Sequence, residues 1–146
     1  MKNLIFAAAL MLFVSSIQAV DFAKDIQPIL ESRCVKCHGE KKQKGEYRLS
    51  NAKSFMKAGE SEEKPVVAGK PDASYLVKLI EMTDEDDDVM PPKGGTLTKE
   101  QIANIKAWIK DGAKFPADVE LKDKSKKKRR PSKLSVSLQQ GRHRLH

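Results

Sequence analysis

Two thiols and an imidazole stand together in the run Cys34-Val35-Lys36-Cys37-His38 of this 146-residue chain. Cysteines at this spacing, with a histidine directly after the second, form the arrangement that attaches a c-type haem. Each thiol would add across one vinyl group of the porphyrin to give a thioether, and the adjacent imidazole would lie beneath the iron as proximal ligand. Three other readings compete. A thioredoxin-like dithiol needs a βαβ setting and a lowered thiol pKa, and no alternating, strand-like segment precedes Cys34. A structural zinc site needs four ligands, whereas the chain has two cysteines, and the remaining histidines, His143 and His146, lie near its C-terminus. A Cys34–Cys37 disulfide suits an exported protein, but so short a loop constrains little and leaves His38 without a role.

An iron held by His38 raises the question of a second axial donor, and methionine is a common one. Met11 falls in an N-terminal leader, which leaves Met56, Met82 and Met90. Met56 and Met82 fall on helical faces or helix ends, where methionine serves as a flexible core filler. Met90 is followed by Pro91-Pro92, in a loop where the prolines restrict the backbone and deny it regular hydrogen bonding. Such a loop can aim one side chain inward, so Met90 is the expected distal ligand, with His143 and His146 as the formal bis-histidine alternatives.

The segments around these residues say where the chemistry would take place. Residues 1–19 open with Met1-Lys2-Asn3, run through apolar Leu4 to Val14 and end in Ser15-Ser16-Ile17-Gln18-Ala19. This is a secretory signal pattern with cleavage expected near Val20. Its apolar stretch of about eleven residues is shorter than the roughly twenty that cross a hydrocarbon core. A soluble protein of the periplasm, or one otherwise exported, is the expectation, which agrees with haem attachment outside the cytoplasm.

Charge divides the remainder. The chain carries a net charge of +8, yet from Val20 to Glu120 there are seventeen basic and nineteen acidic residues. From Leu121 to His146 there are ten basic residues against the single acid Asp123. The pattern gives a signal peptide over 1–19, one haem domain over 20–118 and a basic tail over 119–146, expected to be disordered because it has too little apolar surface to offset chain entropy. The run from Lys124 to Arg130 would suggest nucleic acid in an intracellular protein, a reading the leader argues against. An anionic lipid or cell-wall surface, or an acidic redox partner, is the sharper expectation, beside a solvated extension with no partner. The acidic run Asp84 to Asp88 lacks the central glycine and terminal glutamate of a calcium loop and reads as a solvated loop.

The body is expected to be helical. A first helix after Asp25, with Pro28 in its first turn, carries Ile26, Ile29 and Leu30 into the thiol motif, and Phe22 could fold back onto them. Tyr47 and Leu49 alternate with polar neighbours in a short extended piece. Ser50 is the expected cap of a second helix with Ala52, Phe55 and Met56 on one face and Gly59 in a left-handed position past its end. Pro71-Asp72 open a third, with a stripe of Tyr75, Leu76, Leu79 and Ile80. Thr98 and Gln101 form a capping box for the last, which buries Ile102, Ile105, Trp108 and Ile109 and stops at Gly112. About a hundred residues with few aromatics make a thin core, which a covalently held macrocycle would supplement.

This order of elements, from Cys34-Val35-Lys36-Cys37-His38-Gly39 through the Met90-Pro91-Pro92 loop to the Leu97-Thr98-Lys99-Glu100-Gln101 helix start, resembles class I cytochrome c. It is most similar to the planctomycete-type cytochrome c domain, through Phe22 with Ile29-Leu30, Lys44-Gly45, Arg48-Leu49-Ser50 and Val67-Ala68-Gly69-Lys70-Pro71. The resemblance spans roughly Asp21 to Pro116. It implies an all-α cytochrome c fold of about four helices around one haem c per chain, with thioethers at Cys34 and Cys37, axial ligands at His38 and Met90, and electron transfer to redox partner proteins. The basic tail and the acidic run depart from that pattern. The alternative function is a haem enzyme or gas sensor whose sixth coordination position stays open.

Overall fold

The chain enters its first helix through a wide turn, and proline explains the width. In the computed structural model, which describes residues 19–92 and 95–125, a π-helical turn over Phe22–Ile26 leads directly into α1, Gln27–Arg33. The Gln27 N–H reaches back five residues to the Phe22 carbonyl. Pro28 has no donor, and its ring crowds the carbonyl four residues earlier, so a widened turn relieves the clash before the α-helix begins. The helical stretch therefore starts earlier than expected, and Asp21 rather than Asp25 caps it: the Asp21 carboxylate accepts from Lys24 N at 2.8 Å. Asp25 closes the other half of the exchange by accepting from Asp21 N at 2.8 Å.

A kink at Cys34 separates α1 from α2, Val35–His38. The other helices are α3, Ala52–Phe55, α4, Tyr75–Ile80, and α5, Lys99–Lys110. Single 3₁₀ turns occupy Lys44–Glu46 and Pro71–Ala73. Among the described residues there is no β-strand, only an isolated antiparallel bridge between His38 and Gln43. The fold is helical, as expected, with two of its helices reduced to one turn. None of the described helices is long and apolar enough to cross a membrane.

The hydrophobic centre lies where the N-terminal turn, α3 and α5 meet. Phe22 packs against Trp108 and Phe115 with ring centroids 5.7 and 4.6 Å apart, and Phe55 packs against the same two rings at 5.7 and 5.4 Å. Tilted and edge-on aromatic pairs at these distances add to the stabilisation from area alone. The Trp108 indole N–H is satisfied by the Lys114 carbonyl at 3.1 Å. The helix that carries Trp108 begins with the predicted capping box, Thr98 N–H donating to Gln101 Oε1 and Gln101 N–H to Thr98 Oγ1. It ends in a Schellman motif: Gly112, at φ +99°, donates to Ile109 O and Ala113 to Trp108 O.

Three expectations for α3 are corrected. Asn51, not Ser50, is its cap, in a reciprocal box with Ser54. Ser50 is buried instead, its hydroxyl accepting from Arg48 Nε and its carbonyl from Leu121 N. Met56 lies just past the helix and is 43% exposed, while Phe55 alone turns fully inward. Gly59 does not adopt the left-handed conformation. It is small because a Cβ there would stand 2.4 Å from the Gly45 carbonyl oxygen.

Packing also continues past the expected domain end at Asp118. Leu121 is buried in the core, and the backbone donors of Lys122 and Lys124 bond to Glu31 in α1. The start of the segment read as a tail, Val119 to Ser125, is thus part of the folded body. Residues 1–18 of the segment read as a leader, Met11 among them, and His143, His146 and the basic run from Lys126 onward lie outside the described residues.

Candidate haem site

Cys34 and Cys37 are three residues apart on a helical turn, which puts both thiols on one side of it. The turn is closed by Cys37 N–H and His38 N–H, which both donate to the Cys34 carbonyl at 3.1 Å. His38, four residues from Cys34, follows on the same side. Both thiols are free. Together with His38 and Met90 they line one cavity of about 400 Å³, within the size range of small-molecule and cofactor sites.

The walls of this cavity are mostly apolar. Leu76, Leu79 and Ile80 of α4 and Leu49 supply aliphatic surface, with Tyr75, Pro65, Pro91 and Pro92 beside them. The apolar stripe read on α4 lines the cavity, while Val77, which that reading passed over, turns into the core, where Ile80 is buried as well. Charged side chains at the cavity include Arg33, Lys44 and Asp88. Met90 is fixed by its backbone, its N–H donating to Leu79 O at the end of α4 at 3.1 Å. Neither Met56 nor Met82 lines the cavity.

The histidine shows which nitrogen is available. His38 Nδ1 lies 3.3 Å from the Tyr47 carbonyl oxygen. A carbonyl only accepts, so this hydrogen bond places the proton on Nδ1, which makes Nε2 the nitrogen that could ligate a metal. Burial holds the His38 pKa below its usual value, against the opposing pull of the Tyr47 and Lys44 carbonyls. The lowered pKa favours the neutral ring, the form in which imidazole ligates. This donor set, one unprotonated imidazole nitrogen and one thioether beside two thiols in an apolar cleft, fits a covalently attached haem.

The competing readings fare worse. Burial pushes the Cys34 thiol up to about 12, the opposite of the depressed value a redox dithiol needs. Among the described residues no group of three or more His, Cys, Asp and Glu side chains is arranged to hold a metal ion. In the acidic run Asp84 to Asp88 the Asp86 carboxylate is occupied by the N–H and hydroxyl of Thr83, at 2.8 and 3.0 Å.

Three residues of the neighbourhood have roles that the sequence reading did not assign to them. Tyr47 orients His38 through its backbone carbonyl, a role for which side-chain identity gives no signal. Gly59 acts by close approach across the fold. Glu31, 3% exposed, takes hydrogen bonds from Gln27 and Lys122 N and an ion pair from Lys124, and only its position on the inward face of α1 could have marked it.

Site and fold together have the features expected of a haem-binding cytochrome c domain. Residues 34–94 match the family described as planctomycete cytochrome C, so the resemblance to that type of domain holds over a segment that opens on Cys34 and contains Cys37, His38 and Met90. No curated protein and no solved structure matches the chain.

Proposed function

We propose that the chain is an exported, single-haem c-type cytochrome that carries electrons between partner proteins in the periplasm or elsewhere outside the cytoplasm. The observation that carries this reading is the convergence of Cys34, Cys37, His38 and Met90 on one apolar cavity. Haem c supplies a one-electron iron couple.

The protein's own groups do the rest. Cys34 and Cys37 anchor the macrocycle through sulfur, and His38 offers Nε2 while the Tyr47 carbonyl holds its other nitrogen. Met90 would offer its thioether as the second donor, one that favours the reduced state. Leu49, Leu76, Leu79 and Ile80 exclude water, which disfavours the more highly charged oxidised centre. With His38 and Met90 both holding the group, no open position would be left for a substrate, and no substrate bond would be made or broken. Partners would dock briefly and under electrostatic guidance.

Intact mass of the exported protein, together with haem staining after denaturation, tests the reading. One haem increment and colour that survives boiling are expected, and a colourless chain from a host that matures such proteins sinks it. Met90→Ala separates the carrier from an open-site enzyme or sensor. The weak ferric band at the red end of the spectrum should vanish in that variant, with haem still attached. Rapid carbon monoxide binding by the unmutated protein would instead favour the open site.

A further inference from the structure

His38 is held from behind by a segment that is itself clamped. The chain comes back to the imidazole through a sharp reversal in which Gly45 and Glu46 both have positive φ, +60° and +53°. The Tyr47 N–H closes the turn on Lys44 O at 3.3 Å. Beside the Leu49 N–H bond to His38 O at 2.8 Å, three contacts hold this reversal. The Glu60 N–H donates to Gly45 O at 2.8 Å, and the Tyr47 hydroxyl donates to Phe55 O at 2.9 Å. Gly59 packs so closely that a Cβ there would stand 2.4 Å from Gly45 O and 2.9 Å from Tyr47 Cβ.

We infer that Gly59 and the Tyr47 phenol are positioning residues for the proximal imidazole, holding the Tyr47 carbonyl on His38 Nδ1 and so setting the reduction potential. The inference rests on the haem reading above. A carbonyl that accepts from Nδ1–H makes the ring a more basic ligand, and a more basic ligand stabilises the oxidised metal. Loosening the clamp weakens that hydrogen bond, lowers the basicity of the ring and raises the potential. Tyr47→Phe removes the bond to Phe55 O that steadies the Tyr47 peptide, so its carbonyl is held less firmly on His38. Gly59→Ala forces the backbone at Gly45 or Gly59 to move, because the clash is with a main-chain oxygen and not with a flexible side chain.

Both variants are made in the haem-loaded full chain, with Ile105→Val as a core change remote from the clamp. Covalent haem is checked first by mass, then the potential by redox titration, then the exchange of the His38 Nδ1 proton by NMR in the reduced protein. Expected are a higher potential and exchange about tenfold faster in Gly59→Ala, the size set by one weakened hydrogen bond. A smaller shift in the same direction is expected in Tyr47→Phe, and none in Ile105→Val. Haem attached in every variant with potential and exchange unchanged overturns the inference alone, as do equal shifts in Ile105→Val, which would mark a general loss of stability. Absence of covalent haem from the unmutated protein overturns the electron-carrier reading and the inference with it. Should Gly59→Ala fail to fold, Tyr47→Phe decides the matter by the same readouts.

Discussion

The half of the molecule built on α5 and the half built on α4 bury apolar surface in different ways. Around α5, Phe22, Phe55, Trp108 and Phe115 touch one another and fill their own space. On the α4 side, Leu76, Leu79, Ile80 and Met90 line a cavity of about 400 Å³. The first half closes on itself, and the second is shaped to close on something else. An apolar wall facing water gains none of the stabilisation that burial gives, so such a cavity in a small domain points to a resident group. Lys106 of α5 joins the halves through its ion pairs with Glu81 and Asp72.

The contrast is broken most severely by removing the anchors. In Cys34→Ser/Cys37→Ser the covalent haem should be lost. Amide exchange should then accelerate across α4 much more than across α5, because local opening follows the number of buried apolar contacts. Equal acceleration in both helices would mean that the halves are not independent. Trp108→Ala attacks the self-filled half and should cost about 3–5 kcal/mol in denaturant unfolding, with haem attachment unimpaired in the fraction that folds.

Shortening the chain sharpens the comparison by testing where the self-filled half ends. Truncation after Asp118 removes Leu121 and should lower stability by about 1.5–3 kcal/mol, whereas truncation after Ser125 should leave the unfolding midpoint unchanged. The smallest effect concerns Glu31. Burial pushes its carboxyl up, but Lys124, Lys122 N–H and Gln27 together outweigh this and hold it below its ordinary value of 4.5. Its contribution is therefore complete above pH 4.5 and fades as pH falls through the lowered folded-state pKa. Glu31→Gln should be less stable than the parent at neutral pH, with the two unfolding curves converging in acid.

Local chemistry was the legible part of the sequence. Cys34, Cys37 and His38 sit on one helical turn, so their spacing alone puts them on one side of the chain. The α5 cap at Thr98–Gln101 and its stop at Gly112 involve residues a few positions apart, and they could be read for the same reason. Misreadings arose where a distant neighbour decided. Proline at position 28 widened the turn before it and moved the cap to Asp21, Ser50 was drawn inward by Arg48 and Leu121, and Gly59 was required by Gly45 across the fold. The stripe of α4 was visible as apolar, but periodicity cannot distinguish a wall that meets another wall from one that faces a cavity. Only the tertiary structure brought Met90 to the cavity of the thiols and laid the Tyr47 carbonyl against His38, because both placements depend on main-chain paths through loops, where no repeating pattern of side chains records the direction of the chain.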